Sequence, residues 1–385
     1  MAQIIGTEGP DLLDGTLDSD TLSALGGDDR INSSGGVDAI DGGDGFDTVS
    51  YNNNNRLGRP EEGLFNVPVD FIRYFPLRGQ VEKISNPTPR DLFISRIDSI
   101  QSIERIEGKG ASIVSLEGAR EGDRAIYDLP NNRITIERPS GSQTFNVTLD
   151  SFSVFEGTTG ADQFQGTSGS APTFFGLAGD DTYLANGTRG SFAGGAGNDT
   201  ADFATQGSAV TVSIRSLATP APTARAIYQL NGIYSTGNDQ VSTTVENLLL
   251  PAGQTNNLVI NSDDPQSPTA LDADLSQNRV TVNSPNFPFG SLNTYTMNNL
   301  VNVSGGALAD QITGNTANNE LNGAGENDTL NGGDGSDRLN GDAGSDTLSG
   351  GNGNDTLSGT NTTSRGVGEL DTLTGDAGRD KLIGI

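Results

Sequence analysis

Cut into nines from Gly6, the sequence runs GTEGPDLLD, GTLDSDTLS, ALGGDDRIN, SSGGVDAID and GGDGFDTVS without a gap. Aspartate fills the sixth place each time, at Asp11, Asp20, Asp29, Asp38 and Asp47, and an aliphatic fills the eighth, at Leu13, Leu22, Ile31, Ile40 and Val49. One aspartate in a glycine-rich stretch is an ordinary turn. Five in one register specify a stacked coil, in which each repeat buries its apolar side chain against the next. Six residues turn and three form a strand. Glycine supplies the positive φ such turns need, and every turn presents a carboxylate and several carbonyls.

The register returns near the C-terminus with GGALADQIT from Gly305, GNTANNELN, GAGENDTLN, GGDGSDRLN, GDAGSDTLS, GGNGNDTLS and, after a seven-residue interruption, GDAGRDKLI. Its sixth-place residues are Asp310, Asp328, Asp337, Asp346, Asp355, Asp371 and Asp380, while Asn319 departs from the pattern and predicts a weak or empty site. A looser central block supplies Asp162, Asp181 and Asp199, with Gly190 where another aspartate belongs. Its strand positions carry Phe164, Tyr183 and Phe192, which predicts a core that is wider or more aromatic than in the outer blocks.

The residues the chain lacks exclude whole chemistries. With neither histidine nor cysteine, HExxH zinc sites and Ser-His-Asp or Cys-His nucleophile systems are ruled out, and no disulfide holds the fold. The net charge of −28 opposes binding to nucleic acid and makes cations the natural partners. An apolar share of 32% is low for one large oily core, and no apolar run is long enough to span a bilayer. The start, MAQIIGTEGPDLL, lacks the basic-then-apolar pattern of a cleavable signal peptide.

These repeats resemble the RTX, or haemolysin-type, calcium-binding nonapeptides with consensus GGxGxDxUx. The resemblance implies an all-β parallel β-roll, two repeats per 18-residue coil, with Ca²⁺ held between successive turns by sixth-place aspartates and turn carbonyls. The metal ligands it implies are Asp11, Asp20, Asp29, Asp38, Asp47, Asp162, Asp181, Asp199, Asp310, Asp328, Asp337, Asp346, Asp355, Asp371 and Asp380. Carboxylates stacked about 5 Å apart repel, and a divalent ion taking six to eight oxygens turns that repulsion into a clamp. Mg²⁺ fits less well because it keeps its waters and a tight octahedron.

Two β-rich inserts separate the repeats, giving an expected order of 1–50 roll, 51–156 insert, 157–203 degenerate roll, 204–304 insert and 305–385 roll. The inserts share a plan. DLPNNRITI (128–136) and DLSQNRVTV (274–282) match, each returns to the repeat at ADQ, and each is preceded by a short element, SIERIEG near 102 and TTVENLL near 243. Alternation in RITIE, FNVTL, VTVSI and RVTVN predicts strands, and the recurring Asp and Arg are expected to pair at a strand-turn corner. The first insert holds thirteen of the 22 basic residues, with Arg73, Arg78, Arg90 and Arg96 around VDFIRYF. A solvated mixed-charge face is the expected role, a grip on acidic polysaccharide or on an acidic repeat face the sharper alternative.

Uncapped solenoid strands at both ends are expected to favour head-to-tail contacts. The expected function is a secreted, noncatalytic structural protein that folds on meeting extracellular Ca²⁺ and self-assembles into a filament, sheath or surface layer. The alternative is an adhesin or a polysaccharide-acting protein of lyase or epimerase type. Expected partners are further copies of the chain and an acidic polysaccharide or cell surface. The resemblance also implies type I export, with its signal expected to be cryptic, to lie in another region, or to lie beyond this sequence.

Overall fold

The computed structural model describes residues 1–33, 36–51, 56–57, 67–68, 71–85, 94–116, 119–138, 140–166, 171–185, 190–205, 209–215, 229–233, 238–242, 245–261, 270–283, 292–359 and 370–384. The chain forms two compact units, Met1–Asp181 with Gly195–Gly197, and Thr182–Gly194 with Asn198–Ile385. Among the described residues the regular elements are strands and three single turns of 3₁₀ helix, and no helix is long and apolar enough to cross a membrane.

In the first unit the nonapeptides give strands β1 (Gln3–Ile5), β2 (Leu12–Asp14), β3 (Thr21–Ser23), β4 (Arg30–Asn32), β5 (Ala39–Asp41) and β6 (Thr48–Ser50). Strands β1 to β4 each pair in parallel with the strand two further on, at an offset of 18 residues: Ile4 faces Leu22, Leu22 faces Ile40, Leu13 faces Ile31 and Ile31 faces Val49. Odd and even strands therefore form the two walls of a parallel β-roll. The eighth-place side chains fill the space between, with Leu22, Ile31, Ile40 and Val49 at most 2% exposed.

The first insert extends these walls. Ile94–Gln101 continues β5 in parallel and Arg105–Val114 continues β6, followed by Thr148–Glu156 and Thr173–Ala178. On the other wall Arg124–Asp128 pairs in parallel with Gln163–Gln165. The insert's bulk comes from antiparallel excursions, Phe71–Phe75 with Gln80–Ser85 and Arg124–Asp128 with Arg133–Glu137. The aromatic core expected around Phe164 is present: its ring lies 5.4 Å from Tyr127 and 5.1 Å from Phe174, and the buried Tyr127 hydroxyl donates to the Glu156 carbonyl.

The second unit repeats this plan. One wall runs in parallel from Thr211–Arg215 through Asn256–Asn261, Leu300–Ser304, Glu320–Gly325, Arg338–Ala343 and Thr356–Ser358 to Lys381–Ile383. Another runs from Ala270–Asp274 through Gln311–Thr313, Thr329–Asp334 and Thr347–Gly353 to Thr372–Thr374. The seven-residue interruption leaves the register intact, since Leu348 faces Leu373 and Leu357 faces Leu382, each 25 residues away.

The duplicated DLxxNR is a hairpin corner. A 3₁₀ turn, Leu129–Asn131 or Leu275–Gln277, is followed by Asn132 or Asn278 in the left-handed region, where asparagine is the least strained residue after glycine. The same corner occurs a third time at Pro76–Arg78 with Gly79, where the sequence carries no DLxxNR. The expected corner ion pair forms in one copy, Arg133 to Asp128 at 2.8 Å. In the other, Asp274 accepts from the Gln277 amide and Arg279 binds Asp272 through both guanidinium nitrogens, a correction to the expected pairing. Of the basic group near VDFIRYF, Arg78 lies over the Phe75 ring; Arg90 and the side chain of Arg96 lie outside the described residues.

Candidate metal sites

The sixth-place carboxylates form ladders. The Asp11 amide donates to Asp29 Oδ1, Asp20 to Asp38 and Asp29 to Asp47, at 2.7 to 3.0 Å. In the C-terminal roll Asp310 donates to Asp328, Asn319 to Asp337, Asp328 to Asp346 and Asp337 to Asp355, at 2.8 to 2.9 Å. Across the interruption Asp346 donates to Asp371 and Asp355 to Asp380, and in the central block Asp162 donates to Asp181 over 19 residues. The structure thus stacks the aspartates that the spacing groups together, most of them almost fully buried: Asp29, Asp47, Asp328, Asp337, Asp346 and Asp355 are at most 3% exposed. Asp11, Asp371 and Asp380 are half-buried.

The ladder occupies Oδ1, so the fate of Oδ2 distinguishes the turns. Two kinds exist. In the closed kind the second-place amide donates to the sixth-place side chain: Thr7 to Asp11, Thr16 to Asp20, Thr158 to Asp162, Gly306 to Asp310 and Asn315 to Asn319 Oδ1, at 2.5 to 2.9 Å. The three threonine hydroxyls add a second bond to the same carboxylates. In the open kind the second and fourth residues both take positive φ, as at Leu25 and Gly27, Gly43 and Gly45, Leu177 and Gly179, Gly195 and Gly197, Ala324 and Glu326, Gly333 and Gly335, Gly351 and Gly353. Asp342 with Gly344 and Asp376 with Gly378 complete the set among the described residues.

Positive φ at the second place turns its amide away from the carboxylate. The Oδ2 atoms of Asp29, Asp47, Asp328, Asp337 and Asp355 are then buried with no hydrogen-bond partner. A buried carboxylate oxygen left so is strongly unfavourable unless a cation meets it. Backbones also approach closely there: a Cβ at Gly353 would overlap the Gly335 carbonyl oxygen, and one at Gly43 that of Leu25. The donor set is all hard oxygen, as Ca²⁺ requires. Among the described residues no three acidic side chains converge, and the turn carbonyls and water are the further oxygens a Ca²⁺ shell can use.

Electrostatics follow the turn type in the first roll. Burial works against ionisation of Asp20, but its bonds from Thr16 and Ala2 hold it below the ordinary carboxylate value. In the open turn, burial raises Asp47, and the charges of Asp29 and Glu104 add to the effect while the Asp29 amide opposes it. Burial is the leading cause in the C-terminal roll too, carrying Asp328 up to about 8 and Asp337 to about 6, with Asp346 and Asp355 respectively adding repulsion. It also carries the closed-turn Asp162 to about 6 and Asp310 to about 7, against their amide bonds.

Asn319 accepts the Asn315 amide and donates its own Nδ2 to the Val301 carbonyl at 2.6 Å. The side chain thereby bonds through both its oxygen and its N–H. The sequence did not reveal how the inserts rejoin the ladder. Glu104 accepts the Asp47 amide and Glu246 the Asp199 amide, both at 2.8 Å, and Ile106 and Leu248 two residues later take the strand position beside Val49 and Ala201. The ExI of SIERIEG and ExL of TTVENLL are therefore DxU with a longer acid.

A family model described as the RTX calcium-binding nonapeptide repeat matches at four places, residues 14–49, 304–339, 331–361 and 365–384. The chain carries RTX calcium-binding repeats. At those residues it carries a repeat that binds Ca²⁺ at multiple sites. The RTX matches cover the first and last rolls but not residues 157–203. No curated protein matches the chain.

Proposed function

We propose that this chain is a noncatalytic extracellular structural protein whose rolls become ordered when Ca²⁺ enters the open turns. The observation that carries this reading is the row of buried, unpartnered Oδ2 atoms at Asp29, Asp47, Asp328, Asp337 and Asp355. Asp181, Asp199, Asp346 and Asp380 stand in turns of the same left-handed pattern and join them as proposed ligands. Asp11, Asp20, Asp162 and Asp310 belong to closed turns and act as structural acceptors. The bound ion supplies positive charge that ties successive coils together, so binding free energy is folding free energy. A noncatalytic role is supported by the ladder itself, which commits one oxygen of nearly every repeat carboxylate to an amide.

Assembly into filaments, sheaths or layers belongs to the same proposal. It is supported by the first coil, where β1 pairs with β3 and β2 with β4, so that each presents a strand edge which a further coil of this protein or of another copy would extend. Far-UV circular dichroism with light scattering, on chelated protein titrated with Ca²⁺ and separately with Mg²⁺, tests both parts. Ordering with Ca²⁺ but not Mg²⁺ is expected, with particle growth in step. Ordering without growth would remove assembly, and no ordering would remove the folding claim.

A further inference from the structure

The turn 33–38 of the first roll already contains a cation. Lys83 has a fully buried side chain, and its Nζ lies 2.7 Å from the Gly36 carbonyl oxygen, 3.4 Å from Ser33 Oγ and 3.5 Å from Asp38 Oδ2. Those three oxygens belong to the fourth, first and sixth places of one nonapeptide, SSGGVD. The carboxylate oxygen involved is Oδ2, since Asp38 Oδ1 accepts the Asp20 amide in the ladder. Oδ2 is the atom left without a partner in the open turns at Asp29 and Asp47.

We infer that the Lys83 ammonium is a tethered substitute for Ca²⁺ in the turn 33–38, so that this repeat is ordered by the insert rather than by the metal. The inference rests on the reading of open turns as ion sites. The topology delivers the side chain: Gln80–Ser85 pairs antiparallel with Ile94–Gln101, and Ile94–Gln101 runs parallel to β5, the strand that follows the turn. An ammonium offers three N–H donors to oxygen acceptors. Burying it is strongly destabilising unless a charge partner and further acceptors are present, as they are here. The match is one of charge: one ammonium meets one carboxylate, whereas among the described residues the buried Oδ2 atoms of Asp29 and Asp47 have no hydrogen-bond partner. On this wall of the first roll, Asp20 is held by Thr16 and Asp38 by Lys83, and the opposite wall keeps Asp29 and Asp47 for the ion.

The test counts bound Ca²⁺ on the full chain by equilibrium dialysis with elemental analysis, and records thermal unfolding in chelator and in millimolar Ca²⁺. Lys83→Met is expected to bind one more Ca²⁺ per chain than the parent protein, and to lose thermal stability in chelator but recover most of it in Ca²⁺. An unchanged count, with the same loss in both conditions, overturns the substitution and leaves an ordinary core lysine. Asp38→Asn decides the matter if Lys83→Met does not fold. Its expected result is lowered stability with an unchanged Ca²⁺ count, and loss of a bound ion would show that Asp38 is a metal ligand after all. A parent protein that binds no Ca²⁺ would refute the open-turn reading as well, whereas a Ca²⁺-loaded parent with an unchanged Lys83→Met count refutes this inference alone.

Discussion

The first and last rolls are written in the same nonapeptide but neutralise their carboxylates differently. In the first, Thr7 and Thr16 close two turns, Lys83 enters a third, and two remain open. In the last, Gly306 and Asn315 close the opening pair, and the turns at 323–328, 332–337, 341–346, 350–355 and 375–380 are all open. The same buried aspartate is thus met by a backbone amide or by a side-chain cation and, on the function proposed above, by a metal ion. Which of these applies follows the backbone conformation at the second place of the turn and what packs beside it, not the aspartate.

Removing calcium should separate the two rolls most sharply. In chelator, amide hydrogen exchange is expected to lose protection throughout 323–358 while part of 12–41 stays protected; equal loss in both rolls would erase the contrast. Next in size is the loss of one open-turn ligand. Asp337→Asn, which keeps the oxygen that accepts the Asn319 amide, is expected to lower the Ca²⁺ count and to cost about 3 kcal/mol in saturating Ca²⁺, the linkage energy of an ion near a hundred times its Kd, with little cost in chelator. Calorimetry in both conditions reads the difference.

Acid should partly replace the ion. Asp328 and Asp337 titrate in the metal-free fold near 8 and 6, above the ordinary 3.8, so the folded coil holds protons that the unfolded chain releases. That stabilisation is complete below the unfolded value and is lost as pH rises through about 6 to 8. The chelated protein should therefore show more β-structure at about pH 5 than at about pH 8.5, and its Ca²⁺ affinity should rise with pH. Circular dichroism across this range gives the sign. A smaller effect is expected from Thr16→Val, about 1 kcal/mol from the lost hydroxyl bond and equal with and without Ca²⁺. Smallest of all is Asn319→Asp, which should add no bound ion because Asn315 keeps the turn closed; a gained ion would show that the sixth-place residue alone sets the turn type.

The coil, its 18-residue offset and the buried aliphatics were legible because one chemical rule repeats at one spacing. Asn319 was legible as a departure for the same reason. Turn type was less so: threonine after glycine in GTEGPD, GTLDSD and GTTGAD is a usable signal for closure, but Gly306 closes a turn while Gly43 opens one, and glycine permits both backbone regions. The return of the inserts through Glu104 and Glu246 was hidden because the six-residue turn contracts and the acid lengthens. Lys83 was beyond the sequence entirely, since its contact with a turn some fifty residues away depends on the pairing of two insert strands.

The ladder has a further consequence. Along each wall one sixth-place carboxylate recurs per coil, at the about 4.8 Å spacing of neighbouring strands. Two unit charges interact with thermal energy at about 7 Å even in water, and more strongly in a buried row, so neighbouring coils cannot both carry a bare charge. Each bound ion lowers the cost of ionising the carboxylate on the next coil. Sites along one wall are therefore expected to fill cooperatively, neighbour after neighbour, rather than one by one.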